Sequence, residues 1–541
     1  MHRLEWMKPR SLLSLVTLVT VLSACSGGGS VNLGSGQSAD PATVDFPIAY
    51  VKRTIPPVAD DLRQHRDALP DADLWIRDRA SPGAPERNVT ERITRTDRFD
   101  VKDVDVSADG KRFIFAMRGP LAMNQDEEDP PTWGIWEYVP GTDQLKRLIV
   151  SDTIAAEGND VSPHYLPDGR IVFSSTRQRQ SKAILLDEGK PGFEAQTEVN
   201  RSEPAFVLHV MNADGSNIHQ ISFNQSHDID ATVLSNGRLM YSRWDGADRQ
   251  DQGIHLYSAN PDGTDLQLLY GAQSHATGTD NSVVQFVHAR EMQDGRVLAL
   301  IRPQAGTGID FGGDLVMIDT QTYVENTQPT LTNAGMPGPA QTRATPNEVL
   351  TIPGPSPGGR FNSAFPLWDG SNRILVTWTQ CRLAEGGAIV PCTSARLAAA
   401  SLLPGAVLYS VWMFDPADNT LKPVMAPVEG VMVTDVAAAQ PRTLPAVILD
   451  GVPVLPTNSE YLAGFASLPS AILTAFSPIE PPPGVRKLML DYRAVTDQDT
   501  GLTLEFRQMA DPFKDTDYHI VEVNFGSAKG DAAQLKRIVT Q

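Results

Sequence analysis

A strand, a tight turn ending in glycine and a second strand recur five times in this chain, and this repeat limits what the chain can fold into. The clearest copy runs from Ser226 to Gly271, SHDIDATVLSNGRLMYSRWDGADRQDQGIHLYSANPDGTDLQLLYG. It contains four runs with the apolar pattern of β-strands. The first two runs are joined by Asn236-Gly237 and the last two by Asp262-Gly263, dipeptides that accept the positive φ angles of a hairpin. The stretch predicts one four-stranded antiparallel sheet.

The five copies predict an all-β fold, a β-propeller of four-stranded blades. Consecutive copies are 58 to 75 residues apart when they are aligned on the glycine of the first turn, whereas a bare blade takes about 40 to 45 residues. The excess lies in inserts without a strand pattern. The aligned glycines are Gly110, Gly169, Gly237, Gly295 and Gly370. The inserts are residues 121–131, 177–204, 323–359 and 382–404.

Sequence from both ends of the propeller is needed to complete the ring. The run FPIAYVKR, which starts at Phe46, is a strand that precedes the first full copy, and propellers commonly close by lending a terminal strand to a blade from the other end. We expect the closing blade to be completed after about Val431, although the segment VMVTDVAAAQPRTLPAVILDG does not show the polar positions of the repeat. Six blades are preferred, and seven are left open.

Two phrases carry a resemblance to known families. LHVMNADGSNIHQIS and VSPHYLPDGRIVFSSTR resemble the repeats of TolB-like propellers, also described as WD40-like PD40 repeats. NGRLMYSRWD, with NPDGTDLQLL and GGDLVMID, resembles the propeller region of the hydrazine synthase alpha subunit and related bacterial proteins. The resemblance covers residues 46–427. It implies a periplasmic propeller, but the chain lacks the CxxCH motif that would attach the covalent haem of the hydrazine synthase family.

The first 45 residues predict export and a lipid anchor. Residues 1–24 combine three basic side chains with a twelve-residue, mostly apolar run that is too short to span a bilayer, which is typical of a signal peptide. The run ends in Leu-Ser-Ala-Cys at Cys25, which resembles a bacterial lipobox with Cys25 as the lipidated residue. Residues 25–45 continue as a Gly/Ser linker. Ser26 resembles the default routing to the outer membrane, with the globular part facing the periplasm.

The remaining domain boundaries follow from composition. Residues 46–475 are assigned to the propeller. Residues 476–484, FSPIEPPPG, form a proline-rich linker. Residues 485–541 contain three strand-like runs and predict a small β segment rather than another blade.

The charge and the cysteines restrict the partners and the redox chemistry. The formal net charge is −19, so the surface repels nucleic acid and anionic lipid, and we expect membrane contact through the lipid anchor alone. Cys381 and Cys392 enclose ten residues. In an oxidising periplasm we expect these two cysteines to form a disulfide. The alternative is that both are buried free thiols.

Signatures of catalysis are missing from the sequence. There is no HExxH, GxGxxG, P-loop or EF-hand motif. The segment 354–358 matches GxSxG only formally, because prolines on both sides of the serine forbid the following helical turn. We predict no cofactor, and the sequence defines no metal site.

A candidate site follows from the repetition itself. The residue seven before each aligned glycine is polar and the residue six before it is small and apolar, so the two sets should occupy opposite faces of the innermost strand. Five residues before the glycine, the first face returns. The polar set is Asp103, Ser162, Asp230, His288 and Ser363, and the apolar set is Val104, Pro163, Ala231, Ala289 and Ala364. The third set is Asp105, His164, Thr232, Arg290 and Phe365.

These polar groups should converge on the propeller axis. One interpretation is a water-filled channel that needs no ligand. The other is a binding pocket or ion site marked by Asp103, His164, Asp230, His288 and Arg290. Histidines in the outer strands, such as His209, are interpreted as surface or packing residues.

The sequence as a whole favours a lipid-anchored, non-catalytic binding or scaffold protein of the bacterial envelope, with an envelope protein or a small ligand as its partner. The alternative is a subunit of a hydrazine-synthase-like redox complex without its own haem.

Overall fold

The computed structural model describes residues 44–451, apart from 57–60, 64–70, 96, 122–129, 188, 199–200, 246–252, 305–310 and 399–402, and the backbone of 489–497, 501–509 and 519–524. The predictions for Cys25, the signal peptide and the proline-rich linker lie outside the described residues. The chain divides into two compact units, residues 1–448 and 449–541.

Six four-stranded antiparallel sheets make up the first unit in the part of the chain that is described. The first strand of each sheet contacts the first strands of both neighbouring sheets, which closes the sheets into a ring around one axis. We number the blades in chain order of their innermost strand. This is the predicted β-propeller, with the preferred count of six.

The strands of each blade follow from the axis outward. Blade 1 contains Arg98–Val106, Phe113–Leu121, Gly134–Val139 and Gln144–Arg147. Blade 2 contains Asp160–Tyr165, Ile171–Ser175, Val207–Met211 and His219–Gln220. Blade 3 contains Asp228–Val233, Leu239–Trp244, Ile254–Ala259 and Gln267–Tyr270. Blade 4 contains Gln285–Glu291, Val297–Arg302, Asp314–Ile318 and Gln341–Arg343. Blade 5 contains Arg360–Pro366, Ile374–Thr379, Ser410–Asp415 and Thr420–Pro423.

Blade 6 is assembled from both ends of the ring. Its innermost strand is Val431–Ala438, and Ile48–Thr54, Ala72–Arg77 and Glu86–Asn88 follow outward. Ile48–Thr54 pairs on one side with Ala72–Arg77 and on the other with Val431–Ala438. The N-terminal strand therefore takes the closing role expected from the sequence.

The inserts add elements at the ends of the blades. They contain the short strands Glu194–Glu198, Arg201–Pro204, Tyr323–Glu325, Gln328–Pro329, Arg382–Glu385, Ala388–Pro391 and Leu403–Pro404. The helices are Glu91–Thr94, Asp152–Ala155, Arg179–Asp187 and Ser394–Leu397, with 3-10 turns at Thr279–Asn281 and Leu331–Asn333. Cys381 and Cys392 are joined in a disulfide with Cα atoms 5.6 Å apart. None of the described helices is long and apolar enough to cross a membrane.

A segment after the last blade strand crosses one end of the propeller axis; we call residues 439–448 the strap. The strap leaves blade 6 at Ala439. At Arg442 it contacts blade 1, because the backbone N–H of Arg442 donates to the carbonyl of Ala108. It then reaches blade 3, where Ala446 donates to the carbonyl of Ser235. Blades 6 and 3 are opposite each other in a six-membered ring, so the strap spans the mouth of the axis on the side of the glycine turns.

The second unit contains a three-stranded antiparallel sheet in its described backbone. The strands are Met489–Asp497, Gly501–Met509 and His519–Asn524, paired in that order.

Two histidines are buried in the body of the propeller as neutral side chains. His209 stacks on Phe173, and its Nδ1 lies 2.9 Å from the carbonyl oxygen of Val207. Burial lowers its pKa to about 3. Burial likewise lowers the pKa of His227 to about 4. The interpretation of His209 as a packing residue agrees with this position.

These depressed pKa values predict that acid weakens the fold. In the unfolded chain each imidazole binds a proton near pH 6.5, whereas in the folded chain it stays neutral, so the stabilisation is complete above about pH 6.5 and is lost as the pH falls. The free energy of unfolding should fall by about 1.4 kcal/mol per pH unit for each such histidine. For His209 the loss between pH 6.5 and 4 is roughly 3 kcal/mol.

Urea unfolding at pH 7 and pH 4.5 measures this loss. In His209→Leu, the difference in unfolding free energy between the two pH values should shrink, whereas the matched control His219→Gln, on the adjacent outer strand, should keep the wild-type difference. An unchanged difference in His209→Leu would contradict the assignment.

Candidate functional site

The predicted axial residues converge at the centre of the ring, but through a bulge rather than through simple alternation. The pairing between the first and second strands shifts register in blades 1 to 5 at this level. Asp103, Ser162, Asp230 and His288 have positive φ angles of 49° to 58°, a conformation that short polar residues tolerate best. The bulge therefore takes these residues out of the regular pleat and turns their polar groups toward one another.

Each bulged residue is tied to the blade before it. Ser162 donates its backbone N–H to the Asp103 carboxylate at 2.9 Å. His288 donates its N–H to Asp230 at 3.2 Å. Between these pairs, the hydroxyl of Ser162 donates to Asp230 at 3.4 Å. Side chains of one blade thus form hydrogen bonds with the neighbouring blade.

A sixth member of this set, Asp435, was missed by sequence analysis. Its φ is 54°, and it accepts the backbone N–H of Asp103 at 2.9 Å. In blade 5, Ser363 accepts the N–H of Val436 at 3.1 Å. The expectation that the last segment lacks the polar positions of the repeat is therefore wrong. VTDVAA matches VKDVDV around Asp103, but no glycine turn follows it to mark the alignment.

A bar of ionic side chains crosses the axis next to this layer. Arg290 of blade 4 donates from Nη1 to Asp105 of blade 1 at 3.0 Å, and these two blades are opposite each other. Nδ1 of His164 in blade 2 hydrogen-bonds the other oxygen of Asp105. His164 is buried, and its Nε2 has no partner among the described residues. The bar therefore links opposite blades across the axis.

Burial and like charge control the protonation of this bar. Burial, with the nearby guanidinium groups of Arg442 and Arg290, lowers the pKa of His164 well below its usual value, so that the imidazole is neutral. Burial lowers the pKa of Arg290 to about 10, and burial together with Arg290 lowers the pKa of Arg442 in the strap to about 10. Both guanidinium groups remain charged at neutral pH.

The axial layer and the bar line a pocket of about 80 Å³. That volume holds a few water molecules. Its walls include Asp103, Asp230, His288 and Arg290 of the predicted set, and also Asp105 and Asp435; His164 touches the pocket only through Asp105. Within the described ranges, no three His, Cys, Asp or Glu side chains are grouped as metal ligands. The polar groups that the sequence places at the axis are mainly engaged with one another.

The opposite end of the innermost strands carries buried ion pairs that sequence analysis did not single out. Arg177 contacts the Asp160 carboxylate through Nε at 2.8 Å, and Arg243 contacts Asp228 through Nε at 2.7 Å. In both copies an Arg lies near the end of the second strand, but Arg177 is eight residues after its aligned glycine and Arg243 six residues after its own, so the alignment does not bring the two together. Trp244, which follows Arg243 in the chain, is buried.

Comparison with known proteins adds a fold likeness. No family model and no curated protein matches the sequence. Among solved structures, Kuenenia stuttgartiensis hydrazine synthase is 14% identical with a TM-score of 0.50, over 77% of this chain and 52% of that chain. A putative TolB from Agrobacterium tumefaciens is 9% identical with a TM-score of 0.33, over 72% of this chain and 98% of that chain.

The likeness concerns the fold alone. The described chain is a β-propeller similar to that of hydrazine synthase, and it spans about half the length of that structure. At this identity the likeness transfers neither the activity nor the residues of a site.

The axial geometry predicts an order of stability for two neighbouring substitutions. Asp230→Ala removes the acceptor for the His288 N–H and places an alanine at a positive φ, which should cost about 2 kcal/mol. Ala231 is buried in the core between blades 2 and 3, so Ala231→Asp buries an unpaired charge and should cost more than about 3 kcal/mol.

Thermal melting of both variants checks this order, with Asp230→Asn as the control that keeps an acceptor and tolerates positive φ. A lower melting temperature for Asp230→Ala than for Ala231→Asp would show that the axial register is wrong.

Proposed function

We propose that this protein is a non-catalytic binding or scaffold propeller, held in the bacterial envelope by a lipid at Cys25, that presents a protein-binding surface on one end of its ring. The observation that carries the proposal is the exposed apolar side chains on the inserts at that end. The axial polar groups are hydrogen-bonded mainly to one another. The proposal therefore assigns binding to the loops at the end of the ring.

Three of the four long inserts connect second and third strands and lie at the end of the ring opposite the glycine turns; we call this end the insert face. The insert at 323–359 follows a third strand instead. The insert of blade 2 carries the helix Arg179–Asp187, and that of blade 5 carries the hairpin Arg382–Glu385 and Ala388–Pro391. These blades are opposite each other, so the two inserts flank the axis.

Both inserts expose large apolar side chains. Leu186 is 71% exposed and Leu403 is 70% exposed, and Ile184 and Ile389 are also exposed. Apolar side chains grouped on loops at one end of a protein are typical of a surface that a partner covers. An envelope protein is the partner expected from the predicted location. The acidic net charge of −19 disfavours nucleic acid.

Substitutions on the insert face should separate binding from folding. Leu186→Glu and Leu403→Glu replace exposed side chains, so each should change the unfolding free energy by less than about 0.5 kcal/mol. Each substitution should weaken binding of the partner about fivefold or more if the leucine is an anchor of the interface. Crosslinking in the native envelope, followed by mass spectrometry, measures the yield of the partner.

The matched control is Leu331→Glu, because Leu331 is 98% exposed and belongs to the insert that follows a third strand. Equal partner yields for all three variants would contradict the insert face. A covalent haem absorbance band in the purified protein would overturn the inference, drawn from the missing CxxCH motif, that the chain carries no haem of its own.

The anchor has its own test. Cys25→Ser should release the protein into the soluble periplasmic fraction, since the lipid attaches to that thiol and several acyl chains are needed for stable anchoring. Fractionation of envelopes measures the release. If the variant still sediments with membranes, the proposed anchor is wrong.

A further inference from the structure

A cleft of about 370 Å³ lies between the outer parts of blades 2 and 3, away from the axial pocket. This volume falls in the range of small-molecule sites, roughly 300 to 1,000 Å³. Its walls come from blade 2, through Leu208 and residues 221–225, and from blade 3, through Leu239, Tyr241 and Ala259. Phe223 and Leu266 stand exposed on its lining.

The cleft exists because one position of the repeat is underfilled. Ala259 pairs with Leu239, the first residue of the second strand of its blade. At the same register position the other blades of the five repeats carry large side chains, namely Tyr138, Met211, Ile318 and Phe414. These four side chains are buried in the core clusters of their blades. Alanine leaves that volume empty in blade 3.

The connection between the two blades does not refill the space. Only residues 221–227 join the last strand of blade 2 to the first strand of blade 3. By comparison, residues 148–159 join blades 1 and 2 and include the helix Asp152–Ala155, whose Ala155 packs into the core there. The cleft thus arises from two independent features of the sequence.

The floor of the cleft carries two polar groups. Leu239, Tyr241 and Arg243 alternate along one strand and face the cleft. The side chain of Tyr241 is nearly inaccessible, at 1% exposure, and its hydroxyl can both donate and accept a hydrogen bond. Arg243 donates to the Asp228 carboxylate from Nε and Nη2, so Nη1 takes no part in that ion pair.

The charge at the floor selects the class of ligand. The guanidinium of Arg243 is balanced by the carboxylate of Asp228, at 2.7 and 2.9 Å. A charged ligand would therefore meet no excess of opposite charge. An uncharged ligand with an apolar body and one hydrogen-bond acceptor matches both the apolar walls of the cleft and the Tyr241 hydroxyl, which can donate to that acceptor.

We propose that the cleft between blades 2 and 3 binds a small, uncharged, mostly apolar molecule whose carbonyl or similar acceptor is held by Tyr241 and Arg243. The residues that line this cleft differ from the exposed apolar residues of the two inserts, so the proposal goes beyond the scaffold role and does not depend on it.

The test uses prodan, an uncharged naphthalene ketone whose fluorescence shifts to the blue in apolar sites. Titration of the purified chain should give saturable binding with one site. Ala259→Met places in blade 3 the residue that blade 2 has at this position. Because the methionine fills the cleft, the affinity for prodan should fall more than about tenfold. The melting temperature should not fall. Tyr241→Phe keeps the ring but loses the hydroxyl, so the affinity for prodan should fall about fivefold.

The matched control is Ala213→Met, since Ala213 is exposed in the turn of blade 2, and this variant should bind prodan like the wild type. Absence of saturable binding to the wild type would overturn the proposal. Equal affinity in Ala259→Met and the wild type would also overturn it, since the dye would then occupy another site. Because Ala259→Met is expected to fold at least as well as the wild type, a loss of binding in that variant cannot be assigned to unfolding.

Discussion

The ring of this propeller depends on one pair of strands from opposite ends of the domain. Ile48–Thr54 and Val431–Ala438 lie side by side in blade 6. Without this pair, blade 6 would be split and two unpaired strand edges would face solvent, which is costly and prone to aggregation. Arg53 reinforces the closure, because its guanidinium contacts Asp100 of blade 1 at 3.3 Å and Asp435 at 3.8 Å. The closing blade is thereby joined to its neighbour by charge as well as by main-chain pairing.

Closure of the ring also brings polar residues of the innermost strands together at the axis. In each of the first four blades, a bulge in the innermost strand holds a polar residue at a positive φ angle. Because each bulge frees a backbone N–H from the sheet, the carboxylate of the preceding blade can accept it, as Asp103 does for Ser162. The polar residues that resemble a binding site in the sequence are therefore used to hold the blades together. Arg290 and Asp105 then link opposite blades across the axis, and the strap crosses one end of it.

The repeat could be predicted because its signals are local. A glycine turn between two alternating strands needs only a few neighbouring residues to define it, and five copies were enough to predict a ring of blades. The convergence of Asp103, Asp230 and His288 followed from the alignment of those copies. Asp435 escaped because the last strand has no turn behind it, and the alignment depended on that turn. The bulge escaped as well, since regular alternation was assumed where a positive φ interrupts it.

What the sequence by itself determined is the unit of structure: the blade, its turns, the inserts between the strands and the polar positions of the innermost strand. What only the tertiary structure decided is which blades face one another. Arg290 meets Asp105 and the strap reaches Ser235 because a ring of six places those blades opposite each other, and no local pattern records that distance. The cleft beside Ala259 has the same origin. An alanine in a strand is unremarkable in sequence, and it leaves a cavity only because the neighbouring blade and a short connection fail to fill the volume that larger residues occupy elsewhere in the ring.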